Sequence, residues 1–381
     1  MEATATDAEI AKFSLRVGDV IFTKDSETAD DIGIAAIVSE ELPGVVCGYH
    51  LSIARPNDGV DGRFIKAFFD SAAAKGYFAV SANGLTRVGL GQSAINNLQL
   101  AVPPLPEQQA IAAFLERETA KIDGLIEEQR RLIALLAEKR QANISYAVTR
   151  GLNPSARLKP SGVDWLGVIP EGWEVVPLKR LAAIGNGSTP NRDNLSYWQD
   201  GHYPWLNSSV VNMPEVTFAD QFVTDIALRE CHLPIVKAPA VLIGITGQGK
   251  TRGLASILSL EATINQHLAY VRPNDVRITC EFITWIFRAA YEYVRADSEA
   301  GSTKGAITCD YLANLKIPLP PKDEIAAICN HLKSISAEID GLTEAATSAI
   351  TLLQERRAAL ISAAVTGKID VRDLASVQEA A

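Results

Sequence analysis

Two stretches of the chain share one hydrophobic periodicity. Between residues 107 and 150 there is no proline, and apolar residues recur at Ile111, Leu115, Ile122, Leu125, Leu132 and Leu136, at spacings of four, seven, three, seven and four. This is the rhythm of a helix with one apolar seam, widened by Ile126 and Ile133 and interrupted by Glu118 and Gln129. Such a helix would run on the order of 65 Å. The second stretch carries Ile328, Leu332, Ile335, Ile339, Leu342, Ala346 and Leu353 in the same rhythm. Neither seam can remain in water over that length, and a whole globular region separates them in sequence. The pattern therefore predicts two long helices packed antiparallel.

Elsewhere the pattern shortens. β-branched runs bounded by Gly and Pro predict strands at 17–23, 45–54, 175–177, 241–245 and 268–271, with helices at 63–75 and 281–294. The predicted class is α+β: two mixed α/β domains joined by two long antiparallel coiled-coil helices.

The two halves also repeat at a constant offset of 217. His50-Leu51 returns as His267-Leu268, Arg55-Pro56-Asn57-Asp58 as Arg272-Pro273-Asn274-Asp275, Ile122-Asp123-Gly124-Leu125 as Ile339-Asp340-Gly341-Leu342, and Ala147-Val148-Thr149 as Ala364-Val365-Thr366. A fixed period implies a duplicated unit, hence a pseudo-twofold molecule. The expected organisation is a partial first domain at 1–102, a first helix at 103–150, a turn-rich linker at 151–163, a second domain at 164–318, a second helix at 319–370 and a frayed tail at 371–381. The second copy holds an extra segment, 164–238, so the first domain is expected to lack its N-terminal part. Gly124 and Gly341 disfavour helix by about 1 kcal/mol each, and close helix–helix approach is the expected reason for them.

Composition narrows the class. A length of 381 residues, with 47% hydrophobic and 21% charged residues, suits two or three soluble domains. No apolar run reaches bilayer length, and the acidic start does not read as a signal peptide. Five cysteines (Cys47, Cys231, Cys280, Cys309 and Cys329) include no CxxC pair, which implies reduced, mostly buried thiols and a cytoplasmic location. The net charge of -9 weighs against bulk nucleic-acid affinity, so any such contact must come from a local cluster or from partners.

The candidate chemistry is sparse. Gly244-Ile245-Thr246-Gly247-Gln248-Gly249-Lys250-Thr251 matches G-x-x-x-x-G-K-[ST], in which backbone N–H groups cradle phosphates and a following helix adds its dipole. Arg252-Gly253 and a short apolar run come next, a poor helix opening, so nucleotide binding stays an alternative to a glycine loop that approaches a DNA backbone. The five histidines show no metal-ligand spacing, and the equivalence of His50 and His267 favours a structural role. No nucleophile elbow or dinucleotide fingerprint occurs, so neither a catalytic residue, a resident cofactor nor a bound metal is expected in this chain. Two polar clusters, one with Thr189 and Arg192 and one with Asn207 and Ser208, hold side chains able to read base edges or hold phosphates, although ordinary turns have the same composition. Trp198 and Trp205 are expected in the core.

Taken together, these stretches resemble the specificity subunit of type I restriction–modification systems. The resemblance rests on Asp164-Trp165-Leu166-Gly167 through Gly172-Trp173, on Gly187-Ser188-Thr189-Pro190 with Tyr197-Trp198, Gly201 and Pro204-Trp205, and on Gly249-Lys250 followed by Asn265-Gln266. It extends to the helix motifs Pro103-Pro104-Leu105-Pro106-Glu107-Gln108, Ile122-Asp123-Gly124-Leu125 and Glu138-Lys139-Arg140, the last recurring at Glu355-Arg356-Arg357. It covers nearly the whole chain. It implies two target recognition domains, each reading half of a bipartite double-stranded DNA sequence, on helices that set the gap and dock modification subunits. S-adenosylmethionine, ATP and magnesium would then belong to the modification and restriction subunits. The resemblance makes Thr189, Gln248, Lys250, Arg252 and Gln266 DNA-facing. The short first domain departs from the pattern and raises self-pairing of two chains, while a scaffold without DNA contact, or a decayed specificity subunit, is the further alternative.

Overall fold

The computed structural model describes residues 4–247, 249–300 and 305–371, and the chain divides into two compact units. The first comprises Met1–Ile133 with Glu344–Ala381, and the second Ala134–Thr343. No helix among the described residues is long and apolar enough to cross a membrane.

In the first unit, strands β1 (Val20–Thr23), β2 (Ala35–Ile37) and β3 (Leu51–Ala54) form an antiparallel sheet of order β2-β1-β3. Two helices cover it, α1 (Gly62–Phe69) and α2 (Ala72–Ser81). Ser71 breaks the single helix expected over 63–75: its hydroxyl accepts from Ala74 N at 3.3 Å and starts a new helix. Phe22, Phe64 and Phe78 are fully buried, each contributing about 1.5–3 kcal/mol. They share a core with Ile111 and Leu115 of the first long helix, α3 (Leu105–Arg150), and with Ile361 and Ala364 of the last helix, Lys322–Val365.

The second unit holds β4 (Ala182–Asn186), β5 (Tyr203–Leu206), β6 (Glu215–Val216), β7 (Gln221–Val223), β8 (Ala240–Gly244), β9 (Ala255–Leu258), β10 (Thr263–Ile264) and β11 (Leu268–Pro273). They form a five-stranded sheet, β6-β9-β8-β11-β4, and a three-stranded sheet, β7-β5-β10. Helices α4 (Cys280–Ala289) and α5 (Tyr291–Ala300) replace the single helix expected over 281–294. The core joins Val241 and Ile243 to Phe282 and Ile286, and to Ile144 of α3 and Ile328 of α6 (Lys322–Val365).

The repeat is visible in the strand register. Val20 lies opposite Ala54 and Ile37, and Val241 lies opposite Val271 and Ile257. The sheet β2-β1-β3 thus matches β9-β8-β11, while the edge strands β4 and β6 have no counterpart strand in the three-stranded sheet.

Both long helices are continuous. Pro103-Pro104 precedes α3 and Pro106 sits in its first turn, where a missing N–H costs nothing. Gly151 ends it at φ +73°, where a Cβ would lie 2.5 Å from Glu324 Oε1. Within each unit the helix segments run antiparallel: α3 residues Leu115 and Asp123 pack with α6 residues Ile361 and Arg357 in the first, and in the second Arg140 meets Asp340 while Gly151, at the end of α3, lies beside Glu324.

The seam differs from the expected one by a residue. Ile111, Leu115, Ile122, Leu136, Ile328, Leu332 and Ile339 are buried and Leu353 is half-buried, but Leu125 (46%), Leu132 (40%) and Leu342 (47%) are exposed. Ile126 and Ile133 occupy the inward positions in α3, and Thr343 does so in α6. Two adjacent apolar residues fit the same periodicity, and only packing decides which faces inward. The expectation for Gly124 and Gly341 also fails: a Cβ added at either meets nothing within 4 Å, so no neighbouring helix requires a glycine there.

Candidate nucleic-acid interface

The sheet register of the second unit gathers four loop segments at one end. β5 and β10 run parallel with Leu206 opposite Ile264, so Asn207 and Asn265 leave the two strands side by side. Asn186 of β4 pairs with Ala269, and Gly244 of β8 pairs with Leu268, which brings the loops after β4 and β8 to the start of β11. The converging segments are 187–192, 207–208, 265–267 and, among the described residues of the glycine-rich loop, 245–247 and 249–250.

The first of these is seated by a glycine. A Cβ on Gly187 would fall 1.7 Å from the Ile264 carbonyl oxygen, so only glycine allows the chain so close. Ser188 N then donates to Ile264 O at 3.1 Å, and Trp205 Nε1 donates to Ser188 O at 3.2 Å. Thr189 follows, and its hydroxyl donates to Gln266 Oε1 at 2.5 Å across 77 positions of sequence. Arg192 is exposed but held: its guanidinium lies 3.9 Å from the Trp198 ring centroid and 4.7 Å from that of Trp205, and Nη2 donates to Gln221 Oε1 at 2.8 Å. Stacking on two rings lowers the entropy of a long cation and aims it. Trp205 is buried, as expected, whereas Trp198 is half-buried and forms the platform.

Asn207 caps the short helix Ser208–Asn212, accepting from Ser209 N at 2.8 Å, so its carboxamide oxygen is engaged in the fold; Ser208 is half-buried in the same turn. At the start of β5, burial and then the Glu261 carboxylate push the Tyr203 phenol up, so Tyr203 stays a hydrogen-bond donor to Glu261 at 3.2 Å.

The glycine-rich run is a hairpin connection. β8 and β9 pair antiparallel, and Thr251 leads through a turn into β9 rather than into a helix. The dipole and the row of helix N–H groups that hold phosphate in a nucleotide site are therefore missing. Lys250 is exposed, and its ammonium forms no ion pair with any described residue. Its loop is anchored from behind, since Tyr291 donates to Lys250 O at 2.6 Å and Arg295 to Gly249 O at 2.8 Å. Arg252 departs from expectation: it is buried, paired with Glu299 and donating to the Gly305 carbonyl, so it braces the loop from inside instead of standing at the surface. Gln248 lies outside the described residues.

Gln266 is exposed at the centre of the cluster, with its Nε2 3.2 Å from His267 Nε2. His267 Nδ1 in turn lies 2.6 Å from Thr246 Oγ1. Sequence reasoning missed Thr246, Gln221 and the part played by His267. No local spacing links positions 189, 221, 246 and 267, and only the order of strands in the sheets brings them together.

The sequence matches the family model described as "Type I restriction modification DNA specificity domain" over residues 7–133 and 170–352. A putative type I restriction enzyme MjaX specificity subunit from Methanocaldococcus jannaschii is 25% identical over 372 residues, covering 96% of this chain and 81% of that protein. Among solved structures, one described as the structural basis of complex assembly and conformational transition of the type I R-M system is similar at a TM-score of 0.74 and 20% identity, covering 92% of this chain and 82% of the other. The HsdS subunit from Thermoanaerobacter tengcongensis is similar at a TM-score of 0.54 and 20% identity, over 93% and 82% of the two chains.

Proposed function

Since the chain belongs to the type I restriction–modification DNA specificity family and reads a DNA target as a specificity subunit, we propose that its second unit reads one half of a split sequence through the end of the sheet where the four loops converge. Arg192 and Lys250 hold phosphate, Thr189 and Gln266 face base edges, and Arg252 keeps the loop in shape. The observation that carries this reading is the convergence itself: four separated segments leave the sheets at one end, backed by the buried Trp205 and Ile264. A net charge of -9 is compatible with it, because the cations required are local and partner subunits supply the rest.

The same reading gives the long helices a second face. Leu125 and its repeat equivalent Leu342 are exposed, as are Leu135 (50%) and its equivalent Leu352 (65%). Open space surrounds the neighbouring Gly124 and Gly341. Exposed leucine beside glycine at equivalent positions of both copies suits close approach by helices of a modification subunit. The chain itself contributes recognition and no catalysis, and S-adenosylmethionine, ATP and magnesium act on the partner subunits in the cytoplasm.

The test is methylation-sensitive sequencing of DNA from cells expressing this chain with its cognate modification subunit. A modified motif with one half lost on altering Thr189 and Gln266 supports the reading. A soluble complex that modifies no motif overturns it.

A further inference from the structure

We infer that His267 is a positioning residue for base reading: its ring holds the Gln266 carboxamide in the one orientation whose free edge is complementary to adenine. This rests on the proposed role of Gln266 and goes beyond it by naming the base and the residue that selects it.

The argument is one of donors and acceptors. A carboxamide nitrogen has no lone pair to offer, so Gln266 Nε2, 3.2 Å from His267 Nε2, must donate and the ring nitrogen must accept. The ring proton then sits on Nδ1 and is donated to Thr246 Oγ1 at 2.6 Å. The first unit carries the same arrangement. His50 precedes Leu51, which pairs with Thr23, as His267 precedes Leu268, which pairs with Gly244. Asp25 lies two residues beyond Thr23, as Thr246 lies two beyond Gly244. His50 Nδ1 is 2.6 Å from Asp25 Oδ1, and a carboxylate only accepts, so there too the proton is on Nδ1. Asp25 imposes this tautomer in the first unit, and it is the one that the orientation of Gln266 requires in the second. In the first unit Tyr49 stands where Gln266 does, and there is no carboxamide to orient.

Neither Thr189 nor Thr246 sets the orientation, because a hydroxyl donates or accepts equally well. Carboxamide orientation and ring tautomer are therefore coupled through His267: a ring Nε2 that accepts holds Gln266 Nε2 against it, as here, and one that donates would hold Oε1. With Oε1 engaged by Thr189 and one N–H engaged by His267, Gln266 retains one N–H and one carbonyl lone pair at an exposed position. That pair matches the N7 acceptor and N6 donor of adenine in the major groove. Without His267 the carboxamide turns over freely, and donor and acceptor exchange places.

The experiment uses the full chain co-expressed with its modification subunit, with the modified motif read by sequencing. Gln266→Ala and His267→Leu are expected to relax the same single adenine position by about tenfold or more, within the discrimination of one bidentate contact. His267→Glu, which can only accept, is expected to keep the preference. Should His267→Leu fail to assemble, His267→Lys takes its place: it only donates, reverses the carboxamide and must change the base at that position. The inference falls, and the wider reading stands, if Gln266→Ala relaxes a position that His267→Leu or His267→Lys leaves alone. It also falls if His267→Leu and His267→Glu lower modification equally at every position, which is the mark of a structural role. A motif untouched by Gln266→Ala removes Gln266 and the inference together, whereas absence of any motif from the unaltered chain is failure of the proposed function itself.

Discussion

Arg357 donates through Nε to Oδ1 of Asp123 at 2.9 Å, and the repeat equivalents of these two residues, Arg140 and Asp340, form the same pair in the other unit. Each arginine of one helix thus meets the aspartate of the other, as a self-complementary contact requires. Arg357 is 29% exposed and Asp123 51%, so the pair sets register more than it adds stability. Reversing the charge of Asp123 alone should destabilise the chain by about 0.5–1 kcal/mol, and exchanging both residues should restore most of that. A double-mutant cycle by thermal unfolding measures it, and a coupling far above about 1 kcal/mol would contradict the assignment.

The outward leucines and the inward isoleucines should separate cleanly. Ile126→Ala opens a cavity in the seam and should cost about 2–4 kcal/mol. Leu125→Ala should change stability by less than about 0.5 kcal/mol yet weaken copurification of the modification subunit. Gly124→Ala should stabilise the helix by up to about 1 kcal/mol while impairing the same association. Equal retention of the partner by all variants would remove the docking role from this face.

Lys250 and Arg252 stand two residues apart with opposite expected effects. Lys250→Ala should leave folding intact and reduce the salt dependence of DNA binding by the assembled complex by about one phosphate contact. Arg252→Ala removes a buried guanidinium and should destabilise the second unit by roughly 1–3 kcal/mol. Titrations at several salt concentrations, beside unfolding curves, distinguish the two.

Acid should act on the first unit through Asp19. Arg55 donates to both of its carboxylate oxygens, at 2.8 and 2.7 Å, and Arg16 N donates at 2.9 Å. The hydrogen bond from Arg55 leads in holding the Asp19 carboxyl below the usual range, against the opposing effect of its burial. A depressed carboxylate adds stability above its unfolded pKa and loses it as pH falls through the folded one. Asp19→Asn should therefore cost about 2 kcal/mol near neutrality, discounted for the partial exposure of Arg55, and its difference from the unaltered chain should shrink below about pH 4. A constant difference down to pH 3 would refute this.

Thiol reactivity should follow burial. Burial lifts Cys280 to about 11 and Cys329 to about 12, so on the order of a thousandth or less of either is thiolate at pH 8. Alkylation of the native chain at that pH should reach the half-buried Cys231 first, and Cys280 and Cys329 only after unfolding. Mass spectrometry of labelled peptides gives the order directly.

Much of this architecture was legible in the chain itself. Heptad spacing and a constant offset of 217 are properties of sequence order, and they determined the two long helices, the duplication and the antiparallel pairing, because burial of an apolar stripe leaves few alternatives. The polar loops around Thr189, Lys250 and Gln266 could be named for the same reason: their composition and motif order are local. Tertiary structure decided the rest. Leu125 and Ile126 are neighbours of equal hydrophobicity, and which one turns inward depends on the partner helix. Arg252 has the chemistry of a DNA contact, but Glu299, 47 positions away, and the Gly305 carbonyl hold it inside the fold. The Thr189–Gln266–His267–Thr246 network has no signature in residue spacing, because three separate segments supply it and these share neither a helix turn nor a strand. They meet because β4, β8 and β11 lie side by side, and the hydrogen-bonding valences of a single imidazole then orient the group between them.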